Sequence, residues 1–518
     1  MNHFLVLPIL LPALTGALLL LFGRHLSLTR VISFLSTLTL LAICVHLFLE
    51  ANVGAIYTYA LGDWIGPFGI VLVLDRLSGL LVLLTSLIAI SALYYSMQGW
   101  DSRGKYFHAL FQFQLMGIFG AFLTGDLFNL FVFFEVLLIA SYCLLMYGFG
   151  EKRLRASVHY VAINLTGSAI FLIAVSLLYS VTGTLNMAHL AERVATSSPD
   201  DIALIRSSGL MLFGVFAVKA ALFPLYFWLP TAYASASAPV AALFAIMTKV
   251  GVYSIFRFTT LVFGGASGVT GASEASADLL SPWLLPVALI TLVLAALGAL
   301  AAKRLLELIA YMTIASVGTM LIAFAAGGVA GLSASLFYLV HSTLIVAGLF
   351  LLAEMIAQAR GEIQDTLHAG PAMLQPVILG IVFMFGAVVV GGLPLSSGFL
   401  AKLMILRSTT DSVNMPWVWG TILGTSLLTL VALSRAGSML FWKTSYEVSA
   451  TAEKPTATQW LPVMFLFGCS LLMVVYAAPL KRYTDATAQQ LKSPEQYITA
   501  VLGQTTDRAP RPLPSEAK

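Results

Sequence analysis

Five side chains that can take or give a proton stand inside apolar runs of this 518-residue sequence. Glu135 lies in "FFEVLLIASY", Lys219 in "MLFGVFAVKAALFPLYFWLP", Lys249 in "AALFAIMTKVGVYSIFRF", His341 in "LFYLVHSTLIVAGLFLL" and Lys402 in "FGAVVVGGLPLSSGFLAKLMIL". Counting from Asp126 at about 1.5 Å per helical residue places Glu135 roughly 13 Å into a hydrocarbon slab about 30 Å thick. An ionisable side chain at that depth costs at least about 2.5 kcal/mol, so it needs a partner, a hydrated cavity or a proton. Burial penalises whichever form of a group is charged, and a nearby opposite charge favours that form. A carboxylate, three lysines and a histidine at one depth can therefore share fewer protons than sites, which is what a proton relay requires. An unperturbed imidazole titrates nearest neutrality, which suits His341 to that use.

Each residue also has a plainer reading. Glu135 with Lys219 alone would be a structural ion pair, and His341 alone a hydrogen-bonded core histidine. What favours the relay is the full set together with two interrupted spans, one broken at Pro224 and the other at Gly391, Gly392 and Pro394. Proline removes a backbone donor, and broken helices are tolerated in a membrane where protein or a water-filled cavity satisfies the freed groups. Paired breaks in corresponding positions of two halves point to a transport site. Arg257 is read as snorkelling to an interface. Asp75 with Arg76 is read as a structural pair or helix-end charges, and Asp126 as a helix cap in preference to a cation's first contact. Asp75 and Asp126 are thus accessory candidates.

The elements that must hold these groups follow from composition. The chain is 59% hydrophobic and 10% charged, against about 25% charged in a soluble domain. This is an all-α polytopic membrane protein. The net charge of +4 is spread over short connectors, which gives no basis for nucleic-acid binding. Cys44, Cys143 and Cys469 sit apart in apolar runs as small core residues, with no spacing that would hold a metal. The run from Phe4 to Phe22 has no basic segment before it, so it is a retained first span and not a signal peptide. Fourteen spans fall near 4–22, 31–49, 70–95, 109–123, 127–148, 159–181, 207–228, 239–262, 283–301, 305–325, 333–356, 376–406, 417–441 and 460–480. Lysine and arginine concentrate in the odd-numbered connectors, from Arg24 and Arg30 to Arg435, Lys443 and Lys454, which puts those connectors in the cytoplasm and the N-terminus outside. Fourteen spans then place the C-terminus outside as well, against the six basic residues that follow Leu480. The organisation reads as three N-terminal spans (1–108), a first five-helix unit (109–262), a second unit inverted relative to it (283–441), a last span (460–480) and a polar, disordered tail (481–518). The segment "LNMAHLAERVATSSPDDIALIR" reads as a short surface helix.

"FFEVLLIASY", "VKAALFPLYFWLPTAYASASAPVAAL", "GLPLSSGFLAK" and the His341 span resemble the antiporter-like membrane subunits of respiratory complex I, membrane-bound hydrogenases and Mrp multisubunit cation/proton antiporters. "LGDWIGPFGIVLVLDRLSGLLVLLT" with "GAFLTGDLFNLFVFFE" resembles the D subunit of the Mrp type. The resemblance implies fourteen helices with two inverted five-helix units, a Glu135–Lys219 pair, and an axis continuing through Lys249, His341 and Lys402. The second lysine that some relatives carry after the histidine is absent from "HSTLIVAG", which implies a sparser relay between Lys249 and Lys402. There is no Walker A loop, dinucleotide glycine pattern or iron–sulfur cysteine set, so no cofactor is expected and energy must come from an ion gradient or a partner subunit. The expected function is that of a membrane subunit of a cation/proton antiporter, in the bacterial cell membrane with other subunits and lipid around it, exchanging protons for Na+ or K+. The alternatives are a proton-pumping subunit of a redox-driven complex and an inert membrane scaffold.

Overall fold

The computed structural model describes residues 3–23, 25–264 and 279–503. Arg24 and the proline-rich end of the tail, 504–518, lie outside the described residues. The first ten helices are α1 (Leu7–Leu21), α2 (Leu26–Asn52), α3 (Arg76–Ser96), α4 (Phe107–Leu123), α5 (Leu127–Met146), α6 (Glu151–Thr182), α7 (Met187–Ala195), α8 (Ile202–Ala220), α9 (Trp228–Ser235) and α10 (Ala238–Arg257). They are followed by α11 (Ser281–Ala301), α12 (Leu305–Ala326), α13 (Gly328–Arg360), α14 (Pro376–Gly391), α15 (Ser397–Ser408), α16 (Met415–Gly437), α17 (Ala457–Val475), α18 (Ala477–Leu491) and α19 (Pro494–Leu502). Among the described residues, eleven helices are long and apolar enough to cross a membrane and three shorter apolar ones, α1, α4 and α14, complete the fourteen expected crossings.

Helices α10 and α13 are buried along their whole membrane windows, whereas α2, α6, α11, α16 and α17 expose much of theirs. Apolar side chains such as Leu165, Ile173, Leu427 and Leu472 face outward on these outer helices. In hydrocarbon this carries no hydrophobic penalty, so the interior is selected by close packing and polar contacts. Small residues let the inner helices approach: a Cβ on Gly251 of α10 would stand 2.5 Å from the backbone nitrogen of Ala220 in α8.

The crossings that carry Lys219 and Lys402 are the interrupted ones. Helix α8 ends with Ala221 in the left-handed region at φ 58°, and the chain passes Pro224 before α9 resumes. Helix α14 ends at Gly391, with Gly392 left-handed at φ 77°, and Ser396 caps α15 through the amide of Phe399 at 3.1 Å. Glycine takes this backbone conformation without the Cβ penalty.

On the face holding the N-terminus, β1 (Tyr57–Ala60) and β2 (Val71–Leu74) form an antiparallel hairpin between α2 and α3. The surface helix expected after Leu185 is α7, which packs its Met187, Leu190 and Val194 face inward. The disordered tail is corrected for residues 481–503: α18 and α19 are helical and pack on this same face. The Tyr483 hydroxyl donates to Arg76 O at 2.7 Å, Gln490 donates to Gly54 O at 3.0 Å and Ser333 donates to Asp485 at 2.6 Å. Their polar composition hides an amphipathic repeat, in which Tyr483, Thr484, Thr487, Ala488 and Leu491 form one buried stripe. Both described chain ends therefore share one face, as fourteen crossings require.

Two accessory readings are also corrected. Asp75 pairs with Arg257 at 2.6 Å and not with Arg76, whose guanidinium donates to Asn52 O. Arg257 does not snorkel: it is 4% exposed, because the Asp75 carboxylate meets it inside. Asp75 and Asp126 do cap α3 and α5, through the amides of Ser78 and Asn129.

Candidate functional site

Helix α5 places Glu135 half-buried against α6, where its carboxylate accepts the hydroxyl of Ser168. Lys219, on the last turn of α8 before the break, donates to Asn164 Oδ1 at 3.3 Å and Asn164 O at 3.5 Å. Asn164 O, 3.1 Å from the Ser168 hydroxyl, is the alternative acceptor for its single proton. Among the described ion pairs there is none between Glu135 and Lys219. The two are joined through one turn of α6, with Asn164 and Ser168 four residues apart on the same face. The expected direct contact is therefore corrected to a bridged one. Lys219 also lies 5.7 Å from the ring centroid of Phe134.

Lys249 is completely buried in α10. Its ammonium donates to Ser316 Oγ of α12 at 2.9 Å and to Thr248 Oγ1 at 3.4 Å. Ser316 spends its own proton on Thr313 O at 2.6 Å, which leaves its lone pairs free to accept from the lysine. This contact joins the crossings before residue 262 to those after 283.

His341, 2% exposed in α13, shares a 2.9 Å hydrogen bond with Ser397, which meets Ser470 of α17 at 2.7 Å. Gly398 leaves room for the ring, since a Cβ there would stand 3.1 Å from both Nε2 and Cε1. Lys402 donates to Val390 O at 3.2 Å, Gly391 O at 3.0 Å and Ser426 Oγ at 2.9 Å. Its charge thus satisfies two carbonyls freed where α14 stops. A break that exposes carbonyls and a lysine one turn into the next helix solve each other's burial problem.

A cavity of about 30 Å³ is lined by Lys402 and Ser426 together with Thr319, Tyr338 and Thr429. That is room for a water molecule in a polar setting. Thr319 is one turn beyond Ser316 on α12, and Tyr338 one turn before His341 on α13. The stretch between Lys249 and Lys402 is therefore lined by hydroxyls where a second lysine is missing.

A much larger cavity, about 750 Å³, opens on the face of the basic connectors. Arg103 and Arg153 lie over Trp100 at 3.7 and 5.1 Å from its ring centroid, Glu354 of α13 lines the floor, and Arg304 pairs with Asp365 at 2.8 Å. Arg153 donates to Ser235 O at 3.0 Å, tying the end of the broken helix to this opening.

The sequence singles out the five titratable groups and the breaks, and the structure lines Lys249, His341 and Lys402 along the interior with hydroxyls between. It misses Asn164, Ser168, Ser316, Ser397 and Ser426. Serine and threonine are common in membrane helices and return most of their hydrogen bonds to the preceding turn, as Thr85 does to Leu81 O, so nothing in the sequence marks the four serines, whereas Asn164, an amide inside the apolar run "VAINLTGSAI", is a signal that could have found it.

The fold and this interior define a multi-pass membrane protein built around buried titratable groups. Residues 124–429 match the family model described as "NADH:quinone oxidoreductase/Mrp antiporter, TM". The chain is 40% identical to the D subunit of a probable K(+)/H(+) antiporter of Rhizobium meliloti, covering 97% of this chain and 98% of that one. It is 34% identical to the D subunit of the Na(+)/H(+) antiporter of Alkalihalophilus pseudofirmus over 97% of this chain and all of the other. Among solved structures it matches a chain of the Mrp complex from a Dietzia species with a TM-score of 0.86 at 25% identity, over 97% of this chain and 100% of that one. The chain belongs to the NADH:quinone oxidoreductase/Mrp antiporter family, and within it to the group of antiporter D subunits. The named relatives are transporter subunits and not enzymes.

Proposed function

We propose that this chain is the D subunit of a multisubunit monovalent cation/proton antiporter in the bacterial cytoplasmic membrane, surrounded by lipid and by the other subunits. Protons from the gradient pass along Glu135, Lys219, Lys249, His341 and Lys402 and are coupled to efflux of Na+ or K+. The two five-helix units, 109–262 and 283–441, run in opposite senses because each has an odd number of crossings. Each brings its broken helix, marked by Pro224 or by Gly391, Gly392 and Pro394, to the lysine it carries.

The observation that carries this reading is Lys249, wholly buried and held by hydroxyls, with no ion-pair partner among the described residues. A buried charge without a counter-ion is costly. A structural role would favour an apolar residue there, whereas a proton carrier needs a site that no fixed counter-charge locks in one state. The basic-face cavity, lined by Arg103, Arg153 and Glu354, supports proton entry or release on the cytoplasmic side.

The test is cation-induced proton flux in membrane vesicles carrying every subunit, comparing wild type with Glu135→Ala and Lys219→Ala after assembly is verified. Loss of flux in intact complexes supports the relay. Full flux in both variants means that these residues are structural and that the relay reading fails.

A further inference from the structure

At the end of the molecule away from the basic cavity, a second polar cluster lies outside the five-residue series. Asp126 caps α5, accepting from the amide of Asn129 through Oδ1 at 2.8 Å. The backbone around it is pinned to the start of α7, by Leu127 N to Leu185 O at 2.8 Å and Met187 N to Gly125 O at 2.9 Å. Two buried polar atoms beside it have no hydrogen-bond partner among the described residues: the hydroxyl of Tyr497, a residue 4% exposed, and the side-chain Nδ2 of Asn186, a residue 0% exposed whose Oδ1 accepts from the amides of Ala188 and His189. The Tyr497 hydroxyl stands next to Gly125, where a Cβ would come within 3.1 Å of it. Orphaned buried donors of this kind ask for a water or a protonatable partner.

This cluster connects to the interior. Lys249, Tyr253 and Arg257 follow one another at four-residue spacing on one face of α10. The Tyr253 hydroxyl donates to Phe122 O at 3.0 Å, four residues before Asp126. Arg257 lies 5.4 Å from the Tyr253 ring centroid and 5.1 Å from that of Tyr497, and it pairs with Asp75 at 2.6 Å. Arginine keeps its proton, and its guanidinium overcomes the burial that would otherwise raise Asp75, leaving that carboxyl below the usual range. The pair therefore sets the local field and carries nothing. Asp126 is different. Burial pushes its carboxyl up to about 6 against the opposing pull of the backbone amides it caps. The groups facing it are Tyr497 from α19 and Asn186, which caps α7 and bridges to Asp126 through the backbone, with His189 and Arg193 further along α7 and Asp75, Arg257 and Tyr253 behind Tyr497.

We propose that Asp126, together with the Tyr497 hydroxyl and the Asn186 amide, forms the outer proton port of this protein, exchanging protons between the external medium and the Lys249 end of the interior. This rests on the relay reading above. The eight residues from Lys249 to Arg257 span about 12 Å, so the transfer runs through water, with Asp126 taking up or giving up the proton at the outer end. Helix α19 forms the wall that carries Tyr497.

The test uses the complete complex in right-side-out vesicles, with cation-driven proton flux followed as the outer pH is varied. Asp126→Asn and Asp126→Ser both keep a good helix cap while removing the titrating group. Wild type is expected to show an inflection near an outer pH of about 6. Both variants should assemble, lose that inflection and carry about tenfold less flux or lower still on its acid side. An unchanged outer-pH profile in both overturns the proposal. Should neither assemble, Tyr497→Phe decides: a displaced inflection supports the port, and a wild-type profile overturns it. Flux surviving in Lys219→Ala would overturn the relay reading alone, because the outer inflection is read on protein with Lys219 intact.

Discussion

Replacing Ser316 by alanine would leave the buried Lys249 ammonium with Thr248 at 3.4 Å as its remaining partner, in place of Ser316 at 2.9 Å and Thr248 together. A hydrogen bond to a charged group contributes about 1.5–3 kcal/mol, and no ion pair among the described residues compensates for its loss here. At about 1.4 kcal/mol per factor of ten, the ammonium form loses ten- to a hundredfold in weight against the neutral amine at a given pH. If protons cross from the first set of helices to the second through Lys249, the antiport rate at saturating cation falls by about tenfold or more, and moving toward more acid medium restores part of it. Ser316→Thr keeps the hydroxyl and should retain most of the rate. The assay is cation-induced proton flux in vesicles with the assembled complex, run across pH for both variants. A Ser316→Ala complex whose flux matches wild type at every pH would refute the idea that this contact lies on the route.

Gly392→Ala forces a non-glycine residue to φ 77° and sets a methyl group 2.9 Å from Lys402 Cδ, so we expect a loss of about 1–2 kcal/mol, read as a lower unfolding temperature of the purified complex, together with reduced flux. Asp101 lies on the basic face, where it accepts two hydrogen bonds from Arg30 at 2.6 and 2.7 Å and one from His108 at 3.0 Å. Burial would raise its carboxyl, but these contacts outweigh burial and hold it below the usual carboxylate range. Its stabilising contribution is therefore complete above the unfolded value of about 3.9 and is lost as pH falls through the lower folded value. Asp101→Asn should be less stable than wild type near neutrality, and the gap should close only below about pH 4; a gap of constant size down to acid pH would contradict this.

Membrane crossings are legible because a twenty-residue apolar run has few other uses, and the breaks at Pro224 and Gly391–Pro394 because both interrupt such runs. Contacts are harder to read. Glu135 and Lys219 match as a pair by depth, but depth fixes height in the membrane and leaves rotation about the helix axis open. Asn164 and Ser168 of α6 take up that rotation, which is why the join is bridged. Nearness to a span end suggests that Arg257 reaches the interface, whereas its burial depends on Asp75, which belongs to a strand–helix junction far back in the chain. The tail is hidden for another reason. A search for apolar runs cannot see an amphipathic helix whose buried stripe is made of Tyr483, Thr484, Thr487 and Ala488.

The way Lys402 is held bears on how proton movement could be coupled to a gate. Its ammonium accounts for the carbonyls of Val390 and Gly391 at the end of α14, and for the Ser426 hydroxyl of α16. A neutral amine donates more weakly and offers two donors for these three acceptors, so deprotonation would leave one of them under-satisfied inside the protein. The break can then relieve that cost by admitting water, by closing another backbone bond, or by shifting α15 against α14. Shifting α15 also moves Ser397, its first residue, which shares a hydrogen bond with His341. On this reading the charge on Lys402 and the geometry around His341 are two descriptions of one switch, and a proton arriving at either changes the hydrogen bonding available to the other. An unbroken helix could not do this, because its carbonyls would already be spent on its own amides.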